Sequence, residues 1–259
     1  MTKTITFANF KGGVGKTTAS VLFSYLLQKS GKKVLLVDFD PQYNATEILF
    51  KTFGVKGKLK TSLFEAIEEQ DLSKAVVNIT PTLDILPSEI DLAGFPMHLY
   101  SLTQDKTKRF YFLDFLLRQI KKNYNYVIID VPPTISEFTN NAIVASDYIV
   151  VIMQTHQQSL KAAAQSYQNM KVLKEYNPAV KLLGVVPYLV DKRGKVDNEV
   201  IEEAEELFQH YLFKNCIMKR ERIKMFSKNG ITDEDMHDID VLNMYQKVVN
   251  EFLERIEAE

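Results

Sequence analysis

One cysteine, Cys216, is all the thiol this chain carries. That scarcity excludes internal disulfides and any intrachain cysteine-cluster metal site. Long apolar runs are missing too: nothing approaches the roughly 20 residues of a membrane span, and no signal peptide precedes the first strand pattern. Charge of one sign is also absent. The formal net charge is −1, so any attraction to nucleic acid has to come from a local patch. The four histidines, His98, His156, His210 and His237, are scattered without ligand spacing and read as structural or surface residues. No repeat, low-complexity tract or linker divides the chain. Its 46% hydrophobic and 25% charged residues are ordinary for a soluble protein, and a chain this long buries about three quarters of its unfolded surface. The expectation is one cytoplasmic domain over residues 1–259.

What is present is an alternation of apolar β-branched runs with helical-period segments. This predicts an α/β fold: a single doubly wound, mostly parallel sheet flanked by helices. Strands are expected at 4–8, 33–37, 83–86, 126–130, 148–152 and 181–186. Helices are expected at 17–29, which stops at Gly31, and near 106–122, 158–175, 197–211 and 241–256. Residues 51–62, with Lys51, Lys56, Lys58, Lys60 and two glycines, read as an exposed connection.

Between the first strand and the first helix lies Lys11-Gly12-Gly13-Val14-Gly15-Lys16-Thr17-Thr18. Phe10 stands where the plain G-x-x-x-x-G-K-[ST] pattern has its first glycine, while the K-G-G-x-G-K-[ST]-[ST] variant is complete. Backbone N–H groups from Gly12 to Thr18 can converge on phosphate oxygens because few side chains obstruct them. The helix N-terminus adds unpaired N–H groups and a positive dipole end. Lys16 would reach the β- and γ-phosphates, and the Thr17 hydroxyl would join a Mg²⁺ shell. Lys11 is a surplus cation, repelled by Lys16 unless it too meets phosphate.

Two strands end in aspartate. The first continues from Asp38 as Phe39-Asp40-Pro41-Gln42-Tyr43-Asn44-Ala45-Thr46, the second from Asp130 as Val131-Pro132-Pro133. The carboxyl ends of parallel strands form the ligand crevice. Asp130 is therefore placed to hold Mg²⁺ directly or through water, and Asp40 to orient the attacking water.

These motifs, in this order and spacing, resemble the ParA/Soj/MinD family of deviant-Walker P-loop ATPases. Leu83-Asp84-Ile85-Leu86-Pro87-Ser88 followed by Asp91-Leu92-Ala93 resembles its chromosomal and plasmid partition branch, in the form lacking an N-terminal helix-turn-helix domain. The resemblance implies a Mg-ATP-dependent homodimer in which Lys11 reaches the partner subunit's phosphates. It makes Lys11, Lys16 and Asp40 the catalytic set and puts Asp38 near the metal with Thr17 and Asp130. It places Gln42 and Asn44 in the switch after Asp40, and Gln154 near the dimer interface. The family's adenine-flanking turn falls on Met218-Lys219. Tyr43 departs from the family's usual glycine. The implied partners are nonspecific DNA, giving nucleoid association, and a ParB-type centromere-binding protein that stimulates hydrolysis.

Residues 214–230 hold Lys214, Lys219, Arg220, Arg222, Lys224 and Lys228 against one acid, Glu221. Such a patch suits phosphate-backbone contact without base reading. A lesser cluster, Lys192-Arg193-Lys195, reads as an ordinary loop. Two alternatives differ in class. One is a MinD-like positioning ATPase for a membrane or polar cargo, disfavoured by the acidic face (Glu251, Glu254, Glu257, Glu259) expected on the last helix. The other is a metabolic ligase of dethiobiotin-synthetase type. Nitrogenase iron protein shares the loop but needs cysteines that this chain lacks.

Overall fold

Strand runs that are apolar at every position have no face to offer water, so they pair in parallel and are covered on both sides. The computed structural model describes residues 1–191 and 193–259; Lys192 of the lesser basic cluster lies outside them. In chain order the first elements are β1 (Lys3–Ala8), α1 (Lys16–Lys29), β2 (Val34–Asp38), α2 (Asn44–Phe53), α3 (Leu63–Glu68), β3 (Val77–Thr80), β4 (Leu83–Leu86), α4 (Phe95–Leu102), α5 (Lys106–Phe110) and α6 (Phe112–Leu117). There follow β5 (Tyr126–Asp130), α7 (Glu137–Val144), β6 (Tyr148–Gln154), α8 (Gln157–Leu173), β7 (Lys181–Val190), α9 (Lys195–Phe208), β8 (Ile217–Met218), α10 (Glu221–Asn229) and α11 (Met236–Ala258).

The strands form one sheet in the order β3-β4-β2-β5-β1-β6-β7-β8. Among the described residues only the edge strand β3 runs antiparallel to its neighbour. Alternate residues of each strand enter opposite cores: Val34 and Leu36 pack with α1 and α11, while Leu35 and Val37 pack with α3, α4 and α6. β1 lies between β5 and β6, so the carboxyl ends of the central strands converge on the segment after Ala8.

The expected helix over 106–122 is broken. Tyr111 separates α5 from α6, and the Leu113 amide donates to Asn141 Oδ1 at 3.1 Å instead of continuing a helical ladder. The connection expected at 51–62 is helical through Phe53 and ends at Gly54 in a left-handed C-cap (φ 63°). Short helices such as α3 and α7 give too few turns for periodicity to show, although Ser62 and Glu65 form a capping box at α3.

The last helix corrects one expectation. Val248, Val249, Phe252 and Ile256 are buried as expected, but Glu251 is not on a solvent face. It is buried, accepting from the Lys214 and Asn215 amides at 2.9 and 2.8 Å and pairing with Arg255 at 2.9 Å. Arg255 in turn donates to the carbonyls of Leu183, His210 and Leu212. Burial alone would raise the Glu251 pKa; the Asn215 and Lys214 amides, aided by Arg255, hold it below the usual range. This stabilisation is present above the ordinary carboxylate pKa and is lost as pH falls through the lowered folded value. Glu251→Ala leaves two amides unpartnered and strips Arg255 of its carboxylate, and should cost about 3 kcal/mol, lowering the melting temperature by roughly 6–12 °C. Thermal denaturation at pH 7 checks this; an unchanged midpoint would contradict it.

Candidate nucleotide site

Asn9 turns the chain out of β1. Its buried Nδ2 donates to Ile152 O at 2.7 Å, and its Oδ1 accepts from the Lys11 amide at 2.8 Å. The loop then needs two left-handed residues, Gly13 (φ 73°) and Gly15 (φ 96°). At Gly15 a side chain is also blocked by space, because a Cβ would lie 2.1 Å from the Tyr188 ring. That ring is buried, and its hydroxyl meets Tyr245 of α11 at 2.5 Å, giving the loop a rigid floor. Gly15 supplies no side-chain cap to α1. The first-turn amides therefore have no side-chain acceptor, which leaves them for an anion.

Lys16 is buried (6% exposed). Burial lowers its pKa, opposed by Asp130 and Asp40. Asp38 and Asp130 are register partners on β2 and β5, which brings two carboxylates to one fully buried strand end. Their environments then diverge. Asp38 Oδ2 accepts from the Thr46 amide and hydroxyl at 2.8 and 2.7 Å, and Oδ1 faces the Asp40 amide at 3.4 Å. Burial first, and the Asp130 charge next, push its pKa up to about 7. Asp38 thus anchors the start of α2, with both its oxygens already engaged by donors of the Asp40–Thr46 segment.

Asp130 is the opposite case. Both its oxygens are buried without a hydrogen-bond partner. Burial raises its pKa to about 6, against the pull of the nearby Thr17 hydroxyl and Lys16. An orphaned carboxylate beside a hydroxyl and a phosphate loop fits Mg²⁺, which takes one or two protein oxygens and completes its shell with water and phosphate. Among the described residues no group of three or more His, Cys, Asp or Glu is arranged to hold a metal.

Asp40, Gln42, Asn44 and Glu47 line a cavity of about 390 Å³ together with Gly13, Gly15, Lys16, Thr17, Thr18 and Ser227. The Asp40 Oδ1 accepts from the Gln42 amide at 3.0 Å. Tyr43 is left-handed (φ 45°), a conformation that glycine adopts without strain and that costs a tyrosine about 1–2 kcal/mol. Met218 and Lys219 do not line this cavity. They sit at the edge strand β8, where Met218 faces a separate space of about 790 Å³.

Two contributors, His156 and Ser227, escaped the motif reading, and Gln154, expected near a dimer interface, touches the phosphate loop itself. His156 caps α8, its Nδ1 accepting from the Ser159 amide at 3.2 Å, and its Nε2 stands 2.8 Å from Lys11 Nζ. Burial, then Lys11, lower its pKa. Gln154 donates to Gly13 O at 3.0 Å, tying β6 to the loop. Ser227 of α10 shares a 2.9 Å hydrogen bond with the Thr18 hydroxyl.

Of the basic residues, Lys214, Lys219, Arg220 and Lys228 are exposed. Lys224 pairs with Glu221 at 3.0 Å. Arg222 is compensated by Asp235 at 2.5 Å and Asp238 at 3.1 Å.

A glycine loop entering a helix under a buried lysine, at the carboxyl end of a parallel sheet, defines a P-loop nucleotide-binding protein. Residues 2–182 match the AAA domain family model, and the chain belongs to that family as an ATPase of ParA/Soj type. The sporulation initiation inhibitor protein Soj of Bacillus subtilis is 33% identical over 232 residues, covering 89% of each chain. The chromosome partitioning protein ParA of Caulobacter vibrioides is 30% identical over 227 residues, 85% of this chain and 82% of that one. Among solved structures, cobyrinic acid a,c-diamide synthase from Mycobacterium smegmatis, with bound ADP and magnesium, superposes with a TM-score of 0.82 at 27% identity. It covers 99% of this chain and 96% of that one.

The ionised Asp130 weakens the nucleotide-free fold. Because the folded carboxyl holds its proton more tightly than the unfolded one, the Asp130 contribution to stability should rise as pH falls from 8 to 5, through the raised value of about 6. Asp130→Asn should stabilise the nucleotide-free chain at pH 8 by roughly 2 kcal/mol and shrink that pH-dependent gain. Differential scanning fluorimetry at the two pH values decides; a variant less stable than wild type at pH 8 would refute the reading. Gly15→Ala, forced against Tyr188, should lose both stability and nucleotide binding, read by the same melting curves with and without ATP.

Proposed function

We propose that the protein is a DNA-partition ATPase that dimerises on Mg-ATP, binds DNA without sequence preference as the dimer, and is released when a ParB-type partner stimulates slow hydrolysis. The observation carrying this reading is the orphaned Asp130 facing buried Lys16 beneath a loop that bears a second lysine. Lys16 would hold the β- and γ-phosphates. Thr17 and Asp130 would hold Mg²⁺, which when bound neutralises charge developing on the phosphate oxygens. Asp40 would orient water toward the γ-phosphate. Asp38 would act through α2, fixing the switch residues Gln42 and Asn44. Lys11, held at His156 in this conformation, would leave it for the partner subunit's phosphates. Met218 and Lys219 remain the proposed flank of the base. The exposed Lys214, Lys219, Arg220, Lys224 and Lys228 are the proposed DNA contacts, with Arg222 requiring exchange of its carboxylate partners.

The names of the Soj and ParA relatives support the partition role. No helix among the described residues is long and apolar enough to cross a membrane, and the apolar face of α11 is already buried against the sheet, which disfavours lipid attachment through it. The likeness to a diamide synthase supports a metabolic alternative on this scaffold; phosphate release that depends on a small acceptor and ignores DNA would favour it.

Light scattering and DNA binding with ATP, with ADP and without nucleotide test the proposal. Lys16→Ala should abolish nucleotide binding. Lys11→Ala should bind ATP but fail to dimerise or hydrolyse. Asp40→Ala should accumulate as an ATP-bound dimer, and rapid hydrolysis by that variant would remove Asp40 from the role assigned.

A further inference from the structure

Two cationic segments from distant parts of the sequence meet at the junction of α2 and α10. Gly230, just past α10, is left-handed (φ 93°), and a Cβ there would fall 2.6 Å from the Thr52 amide nitrogen. The Ile231 amide donates to Thr52 Oγ1 at 2.8 Å. The end of α10 is thereby fixed against the last turn of α2, and the chain leaving α2 runs through Lys56, Lys58 and Lys60. All three are exposed, and none has a carboxylate partner among the described residues. Lys56 and Lys58 share one open cavity of about 780 Å³ with Asn229 of α10. On the solvent face of α10 lie Lys224 and Lys228, one helical turn apart.

A lysine at every second position, around a Gly57 whose added Cβ would meet nothing, is a density of like charge that the protein leaves uncompensated. Self-repulsion of this kind is relieved by a polyanion. We propose that the Lys56–Lys58–Lys60 turn is a second phosphate-contacting limb of a duplex-DNA surface whose first limb is α10 and the turn before it. This rests on the DNA-binding reading above and adds residues that the basic segment 214–230 does not contain. Continuity with the exposed Lys224 and Lys228 of α10 favours DNA over an acidic protein. The opposite end of α2 supplies Asn44, Glu47 and Ile48 to the nucleotide cavity, so one helix joins the nucleotide switch to this limb.

The test is a salt series of binding to random-sequence duplex DNA by the ATP-bound full-length protein. It compares wild type with Lys56→Gln/Lys58→Gln/Lys60→Gln and with Arg220→Gln/Lys228→Gln. Each phosphate contact contributes about 0.9 to the slope of log affinity against log salt, so the triple variant should be shallower by about 2–3. ATP-dependent dimerisation should be unchanged, which excludes misfolding as the cause. A wild-type slope and affinity in the triple variant, with a reduced slope in the double variant, would overturn this inference alone. Absence of ATP-dependent DNA binding by wild type would remove the partition reading and this inference together. Intact DNA binding with loss of partner-stimulated hydrolysis would assign the turn to a protein partner and overturn it as well.

Discussion

Two aspartates side by side at the dry end of a parallel sheet are the constraint around which this molecule is arranged. Parallel register puts Asp38 opposite Asp130, and neither can be hydrated there. The fold satisfies one carboxylate fully, through the amide and hydroxyl of Thr46, and so fixes where α2 begins. It leaves the other without a hydrogen bond and sets a buried lysine nearby. A site with one satisfied and one unsatisfied acid suits a cation that would arrive with its ligand, and binding there would add to the stability of the fold.

Much of this was legible in the sequence because it depends on local chemistry. The apolar runs of β2, β5 and β6 are too continuous to be anything but central strands. The glycine-lysine loop between β1 and α1 announces both its conformation and its ligand. Asp130 and Asp40 could be placed by the rule that strand carboxyl ends carry the site. What could not be read is what depends on contacts between distant segments. Tyr188 as the floor beneath Gly15, Ser227 against Thr18, and His156 against Lys11 join residues far apart in the chain, and no periodicity encodes them. The burial of Glu251 is the clearest miss of this kind. Helical spacing put it on a polar face, whereas Arg255 and two loop amides turn that position into an internal ion pair.

The same long-range contacts explain how a compact site could communicate with remote surfaces. α2 spans from the nucleotide cavity to the lysine turn, and α10 touches the phosphate loop through Ser227 and α2 through Gly230. α2 is short and held near both ends, by Asp38 at Thr46 and by the Ile231 amide at Thr52. Tyr43 fits this picture: a strained residue at the start of α2 stores a small energy at the point where the helix would pivot.

The tyrosine pair beneath the loop also bears on how the protein is made. Tyr188 belongs to β7 and Tyr245 to α11, while the loop they support is complete within the first eighteen residues. During synthesis the glycine loop therefore emerges long before its foundation does. A nascent chain holds the whole glycine-lysine loop yet lacks the tyrosine platform beneath it until α11 has been translated.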